Sequence, residues 1–426
     1  MKRILIITYY WPPAGGPGVQ RWLKFVKYFR EFGIEPIVYI PENPTYPLVD
    51  DAFVGEIPAD IEILKLPIRE PYRFAYLFSK RKTKDLSSGI LSRNKRSALE
   101  KLMLYVRGNF FIPDARVGWV KPSFEFLSGY ISKNPVDTII TTGPPHSMHL
   151  IGLRLKRKFG INWIADFRDP WTTIHYHKSL SLNKASAKKH RKMEATVLNT
   201  ADTIVVTSPT TKKEFQAITP KPVEVITNGF DVGENREIPL DRNFSISHIG
   251  SLLSGRNPDI LWEILQEISI ENPIFKENLQ LKFAGAVSGE VKESLQKYGL
   301  MKFSGFKGYI SHSEALEMQN NSQVLLLVEI DTPETKGIIP GKLFEYLAAG
   351  RPIIALGPEN SDIKEIIENV QAGFYFNYEA KEKLKTQILN YFSDFLKGQL
   401  KVSPKEINKY SRRELTRNMS ELIHSH

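Results

Sequence analysis

Residues Gly337–Pro352 read GIIPGKLFEYLAAGRP. An apolar run, Gln323–Val328, precedes this stretch and another, Pro352–Leu356, follows it, so the local order is strand, loop, helix, strand. Pro340 and Gly341 stand where the helix begins, and a helix start leaves backbone N–H groups unpaired and pointing outward. Those groups and the helix dipole suit a phosphate. Gly350 tolerates a left-handed C-terminal cap, and Arg351-Pro352 stops the helix. On its local residues alone the stretch is equally a plain glycine-bracketed turn of an α/β sheet.

On both sides of this element the chain alternates β-rich runs with amphipathic helices. In the first half Arg3–Thr8, Pro36–Ile40, Ile61–Leu66, Asp137–Thr142, Asn162–Asp166, Thr203–Ser208 and Val223–Thr227 read as strands, and Val19, Trp22, Val26 and Phe29 mark one helix face. A polar connection, Asn228–Asn243, separates them from a second series: strands Phe244–Ile249 and Leu279–Ala284, the element above, and the helix Lys381–Leu396. Such alternation predicts parallel sheets with right-handed crossovers. The expected fold is α/β, with two Rossmann-like domains, residues 1–235 and 236–404, facing a central cleft. A terminal helix of about 405–426 has no sheet partner and can pack back on the first domain. Arg69–Val120 breaks the rhythm.

At 426 residues the chain is longer than one core usually serves. It has no cysteine, which excludes disulfides, thiolate metal sites and a cysteine nucleophile and fits a reducing compartment. The first apolar run, Ile4–Ile7, is too short for a signal core or a membrane span, so a cytoplasmic location is expected. The formal net charge of +11 is concentrated between Arg73 and Arg107, where basic residues are interleaved with apolar ones. That mixture fits a solvated insertion or the inner face of an anionic membrane, held peripherally. No recognition motif accompanies the charge, so nucleic acid is not an expected partner.

Four loops at strand ends carry chemistry. Gly15 and Gly16, before the first helix, allow close backbone approach to a ligand, but their spacing is neither the dinucleotide fingerprint nor the P-loop. TTGPPH, 141–146, places His146 at a helix start, where it can donate to an anion or move a proton, or simply cap the helix. DFRDPW, 166–171, gathers Asp166, Arg168 and Asp169, which can orient sugar hydroxyls or fix the loop as an Asp–Arg pair. GSLLSGRN, 250–257, brings Arg256 just before a helix, where its guanidinium can neutralise phosphate. No metal-ligand cluster or serine nucleophile elbow accompanies them.

With the ADTIVVTSP and VITNGFD segments, these loops taken in order resemble glycosyltransferases of the GT-B fold, particularly the large retaining family 4 and its relatives. The resemblance implies a hexosyltransferase-type enzyme that moves a sugar from a nucleotide diphosphate sugar to a hydroxyl of a glycan or lipid-linked glycan, in cell-surface polysaccharide synthesis. It implies no cofactor and no metal, the nucleotide sugar being a co-substrate. Glu345 would bind the ribose, the Gly341 to Leu343 amides the phosphate or the transferred sugar, and Arg256 the diphosphate, with Lys342 reaching the same group. Gly15, Gly16 and Gly250 would line the donor, His146 would act near the sugar phosphate, and Asp166, Arg168 and Asp169 would position acceptor or sugar. The pattern is broken at Gly337, where many members carry a glutamate, and at Ser251, where arginine often stands. A sugar-nucleotide epimerase and a silent nucleotide- or glycan-binding protein are the rival readings.

Overall fold

The computed structural model describes residues 1–70, 98–174, 177, 180–231 and 238–425. Most of the basic stretch 73–107 and the expected boundary at 235/236 lie outside them. The chain forms two compact units, Met1–Asn228 with Arg412–His426, and Gly229–Ser411.

The first unit holds a seven-stranded sheet of order β3-β2-β1-β4-β5-β6-β7. Its strands are β1 Lys2–Ile7, β2 Ile34–Pro41, β3 Glu62–Leu66, β4 Thr138–Gly143, β5 Asn162–Phe167, β6 Thr203–Val206 and β7 Val223–Val225. Every neighbouring pair is parallel. The period-2 geometry of a strand sends alternate residues to opposite faces. In β1, Ile4 and Ile6 join the core with the helix Pro17–Phe29, while Leu5 and Ile7 join the core on the other face. Both faces are therefore buried, which is why the strands read as continuous apolar runs.

The second unit is a six-stranded parallel sheet of order β10-β9-β8-β11-β12-β13. It is built from β8 Phe244–Ile249, β9 Leu279–Ala284, β10 Ser304–Phe306, β11 Val324–Val328, β12 Ile353–Leu356 and β13 Gly373–Phe376. In β11, Val324, Leu326 and Val328 face one core, and Leu325 and Leu327 the other. In each sheet the order reverses beside the first strand, between β1 and β4 and between β8 and β11. Crevices at such a reversal, beyond the carboxyl ends of the strands, are where open parallel sheets bind ligands.

The chain returns to the first unit later than position 405. The Lys405 N–H donates to Val370 O at 2.8 Å and the Phe230 N–H to Tyr410 O at 3.1 Å, so the segment to Ser411 stays on the second unit. The last helix, Arg412–His424, then lays Leu415, Met419 and Ile423 against the helix Pro17–Phe29. Four-residue spacing puts the three on one stripe. Lys2 Nζ donates to Ile423 O at 3.0 Å, a cation at the negative end of the helix.

Candidate functional site

In the second unit the chemistry gathers where β8 and β11 end. Gly250 follows β8 with φ of 112°, a backbone only glycine adopts freely, and a Cβ there would lie 2.8 Å from Lys342 Nζ. Lys342 opens the helix Lys342–Ala349, which ends as the sequence indicates, on Gly350 with φ of 61°. At its start the Leu343 N–H donates to Pro340 O at 3.0 Å and the Phe344 N–H to Gly341 O at 3.2 Å. The Leu343 amide, expected with Gly341 at phosphate or the transferred sugar, thus has a partner within its own tightly wound first turn.

Lys342 Nζ lies 3.0 Å from His248 Nε2, and His248 Nδ1 lies 2.9 Å from Leu326 O. The carbonyl can only accept, so Nδ1 carries the proton and Nε2 accepts from Lys342. Burial, ahead of the Lys342 charge, holds the His248 pKa well below the usual range, so the ring is neutral. Burial, ahead of the Arg256 charge, also lowers the Lys342 pKa to about 7, against the opposing pull of Glu329 and Glu345. Arg256 places Nε and Nη2 each 3.0 Å from Glu329 Oε1, a carboxylate only 1% exposed. Glu345 receives His312 Nε2 at 3.1 Å and Gln319 Nε2 at 2.9 Å. Two basic side chains and two carboxylates therefore gather where β8 and β11 end, with the carboxylates engaged by groups other than Lys342.

In the first unit β4 and β5 run side by side into the TTGPPH and DFRDPW loops. Asp166 is fully buried and accepts four bonds: Arg21 Nη2 at 2.8 Å, Arg21 Nε at 3.3 Å, Trp22 Nε1 at 2.9 Å and Thr142 Oγ1 at 2.8 Å. Burial works to raise its pKa, but Arg21, Thr142 and Trp22 overcome it and leave it below the usual value. Three of these bonds fall on Oδ2 and one on Oδ1, and together they make Asp166 the tie that fixes the two loops to the first helix. The expected Asp–Arg pair exists, with Arg21 rather than Arg168. Arg168 instead donates from its backbone to Gly143 O at 3.0 Å and from Nη2 to Pro144 O, and packs its guanidinium 5.7 Å from the Tyr10 ring. Asp169 beside it is partly exposed. Gly15 is likewise committed: its N–H donates to Leu48 O at 2.9 Å, and a Cβ would lie 2.9 Å from Leu48 Cγ. The glycine serves a close crossing of chain segments. Gly16, with φ of 93°, faces open space.

His146 is 6% exposed, stacked flat on Trp171 with centroids 5.0 Å apart, and has no hydrogen-bond partner on either ring nitrogen. Burial first, then the neighbouring positive groups, lowers its pKa well below the usual range. A neutral imidazole with both nitrogens unspent can serve as donor or acceptor to a sugar hydroxyl. Trp171 is held by its Nε1 bond to His190 Nδ1 at 3.1 Å and by Glu194, which accepts the Trp171 N–H at 3.2 Å. Asp114 accepts Ser147 N and Ser147 Oγ, each at 2.8 Å, so a carboxylate already occupies the positive end of the helix Ser147–Phe159.

Glu329, His248, His312, Gln319, Asp114 and Glu194 belong to these two sites without standing out in the sequence. Glu329 had one signal, an acid directly after a buried strand, as Asp166 ends another. Among the described residues no cluster of His, Cys, Asp or Glu could hold a metal ion, and no helix is long and apolar enough to cross a membrane.

Residues 89–234 match the family model described as Glycosyltransferase Family 4. No curated protein matches the sequence. Among solved structures the chain is similar to the lipopolysaccharide outer core galactosyltransferase WaaB, at 14% identity and a TM-score of 0.61 over 100% of this chain and 99% of that one. It is also similar to Anabaena HepE in complex with UDP-glucose, at 14% identity and a TM-score of 0.61 over 100% of both chains. UDP-GlcNAc 2-epimerase from Methanocaldococcus jannaschii aligns over 100% of both chains at 12% identity and a TM-score of 0.53. At these identities the likeness establishes the fold, which is GT-B.

Proposed function

We infer that this chain, a transferase enzyme of GT-B fold carrying a family 4 glycosyltransferase match, moves a sugar from a nucleoside diphosphate sugar to a hydroxyl of a glycan or lipid-linked glycan. The observation that carries this reading is the pair of basic side chains, Lys342 and Arg256, near Glu345 where β8 and β11 end. A departing diphosphate gains negative charge in the transition state, and fixed positive groups at that point stabilise the transition state more than the ground state. Glu345, oriented by His312 and Gln319, accepts hydroxyl protons of the ribose. Gly250 and Gly341 let the donor approach the backbone. In the first unit His146 contacts sugar or acceptor, with Arg168 and Asp169 at the loop beside it. Asp166, caged by Arg21, Trp22 and Thr142, is not the nucleophile in this reading. Transfer with retention, the leaving phosphate taking the acceptor proton, without a metal, is the mechanism that suits these groups.

A thermal-shift panel of nucleoside diphosphate sugars is the direct test, since a ligand that binds only the folded state raises the apparent stability. At least one donor should raise the melting temperature, and Glu345→Ala should weaken its binding by about 10–100-fold, the loss of one or two hydrogen bonds to a charged group. A panel without a shift removes the donor assignment. The epimerase alternative, raised by the structural neighbour, calls for consumption of the donor to an epimer when water is the only acceptor; stable donor in that assay excludes it.

The acceptor reading places the enzyme in the cytoplasm, held peripherally on an anionic membrane in cell-surface polysaccharide synthesis. The helix Ala98–Phe110 supports this by exposing Leu102, Tyr105, Val106 and Phe110, next in sequence to the basic residues of 73–97. Binding to phosphatidylglycerol vesicles should exceed binding to phosphatidylcholine vesicles and fall with salt, as screened charge requires. Equal binding to both removes the assignment.

A further inference from the structure

Lys342 is an ammonium-bearing side chain whose two nearby carboxylates are already taken. Glu329 holds Arg256, and Glu345 holds His312 and Gln319. Among the described residues no acid lies within ion-pair distance of Lys342 Nζ. What does bond to it is His248 Nε2, the acceptor side of a neutral ring locked by its bond to Leu326 O. The groups around the amine are thus the charged Arg256 on the loop after β8, Glu329 after β11 and Glu345 one helical turn onward, and the neutral, titratable His248 on β8.

A desolvated amine with no carboxylate in ion-pair contact gives up its proton easily, because burial disfavours only the charged form. A ligand diphosphate reverses the balance by bringing negative charge into direct contact with the amine. We propose that His248 is a positioning residue that holds the Lys342 amine at the end of β8, and that a nucleoside diphosphate binds there with uptake of one proton onto Lys342 Nζ. The step balances simply. The amine lone pair accepts a proton from solvent, one N–H stays on His248 Nε2, and the remaining N–H groups face the phosphate oxygens. The lowered Lys342 pKa of about 7 places the change close to neutrality.

This inference rests on the donor reading above, and the experiment separates the two. Isothermal titration of the full chain with UDP and with GDP, in buffers of different ionisation enthalpy, reads the protons exchanged on binding. At pH 8, where the terminal phosphate of the probe is itself unprotonated, wild type should take up close to one proton per diphosphate. Lys342→Arg, which keeps the charge and cannot titrate, should take up none. His248→Phe removes the hydrogen bond that favours the ammonium, so uptake should set in at lower pH than in wild type, a change that a merely structural histidine would not produce. Binding without uptake at pH 8 overturns the proton linkage and leaves the donor site standing. An onset unmoved by His248→Phe overturns the positioning role. Failure of both nucleotides and of inorganic pyrophosphate to bind removes the donor site and this inference with it.

Discussion

Replacing Lys342 by methionine should make the protein more stable and far less active. Turnover falls by about 10²–10³, the usual cost of removing one preorganised charge stabiliser from a transition state. Stability moves the other way because the native environment lowers the lysine pKa from 10.5 to about 7. Below pH 7 the amine is charged in both folded and unfolded chains, and the full burial penalty weighs on the fold. As pH rises from about 7 towards 10.5 the folded form sheds its proton first, and the penalty fades. Methionine carries no such penalty. Discounted for the residual exposure of Lys342, the gain is about 1–3 kcal/mol at pH 6. A calorimetric melt at pH 6 and pH 9 should show a rise of several degrees, larger at the lower pH. A variant no more stable than wild type at pH 6 contradicts the burial of this charge, whatever its activity.

Arg21→Met should be among the most destabilising single changes in the first unit. It leaves Asp166 at the centre of the sheet with Trp22 and Thr142 but without its counter-charge, a defect that costs about 3–5 kcal/mol. Both side chains are fully buried and 2.8 Å apart. The fold can discharge part of the defect by protonating Asp166, so the variant should lose less at acid pH. Wild type has the opposite dependence. The Asp166 pKa is depressed in the native state, so its contribution is present above the ordinary carboxylate pKa and is lost as pH falls through the lower folded value. The double variant Arg21→Met/Asp166→Leu should recover much of the loss, since two apolar groups need no counter-charge. Urea midpoints for the three proteins decide the matter. A single variant as stable as the double one contradicts a buried pair.

The contrast between these two sites marks what could be read from sequence. The strands were legible because both faces of each sheet are buried: β8 and β9 fall on the expected Phe244–Ile249 and Leu279–Ala284, and the helix Lys381–Leu396 keeps its expected limits. The edge strand Ser304–Phe306 escaped, being three residues long with glycine in the middle. Lys342, Arg256 and Glu345 stood out by type and by position at loop ends. Their partners did not, because each contact spans a long stretch of chain: Lys342 meets His248 across 94 positions and Arg256 meets Glu329 across 73. The same distance misled the reading of Asp166, whose neighbour in sequence was Arg168 and whose partner in space is 145 positions away. Local chemistry names the groups, and the parallel crossovers choose which of them meet.

The helix Arg412–His424 carries a consequence for how the protein comes to exist in the cell. A ribosome delivers β1 and the helix Pro17–Phe29 before the second unit, but the apolar stripe that covers the outer side of that helix, Leu415, Met419 and Ile423, is translated only after it. The nascent first unit therefore waits with an uncovered hydrophobic face throughout synthesis of the whole second unit. That interval exposes it to chaperones and to neighbouring chains. A message broken before codon 412 yields a product with both sheets encoded and one helix left permanently bare.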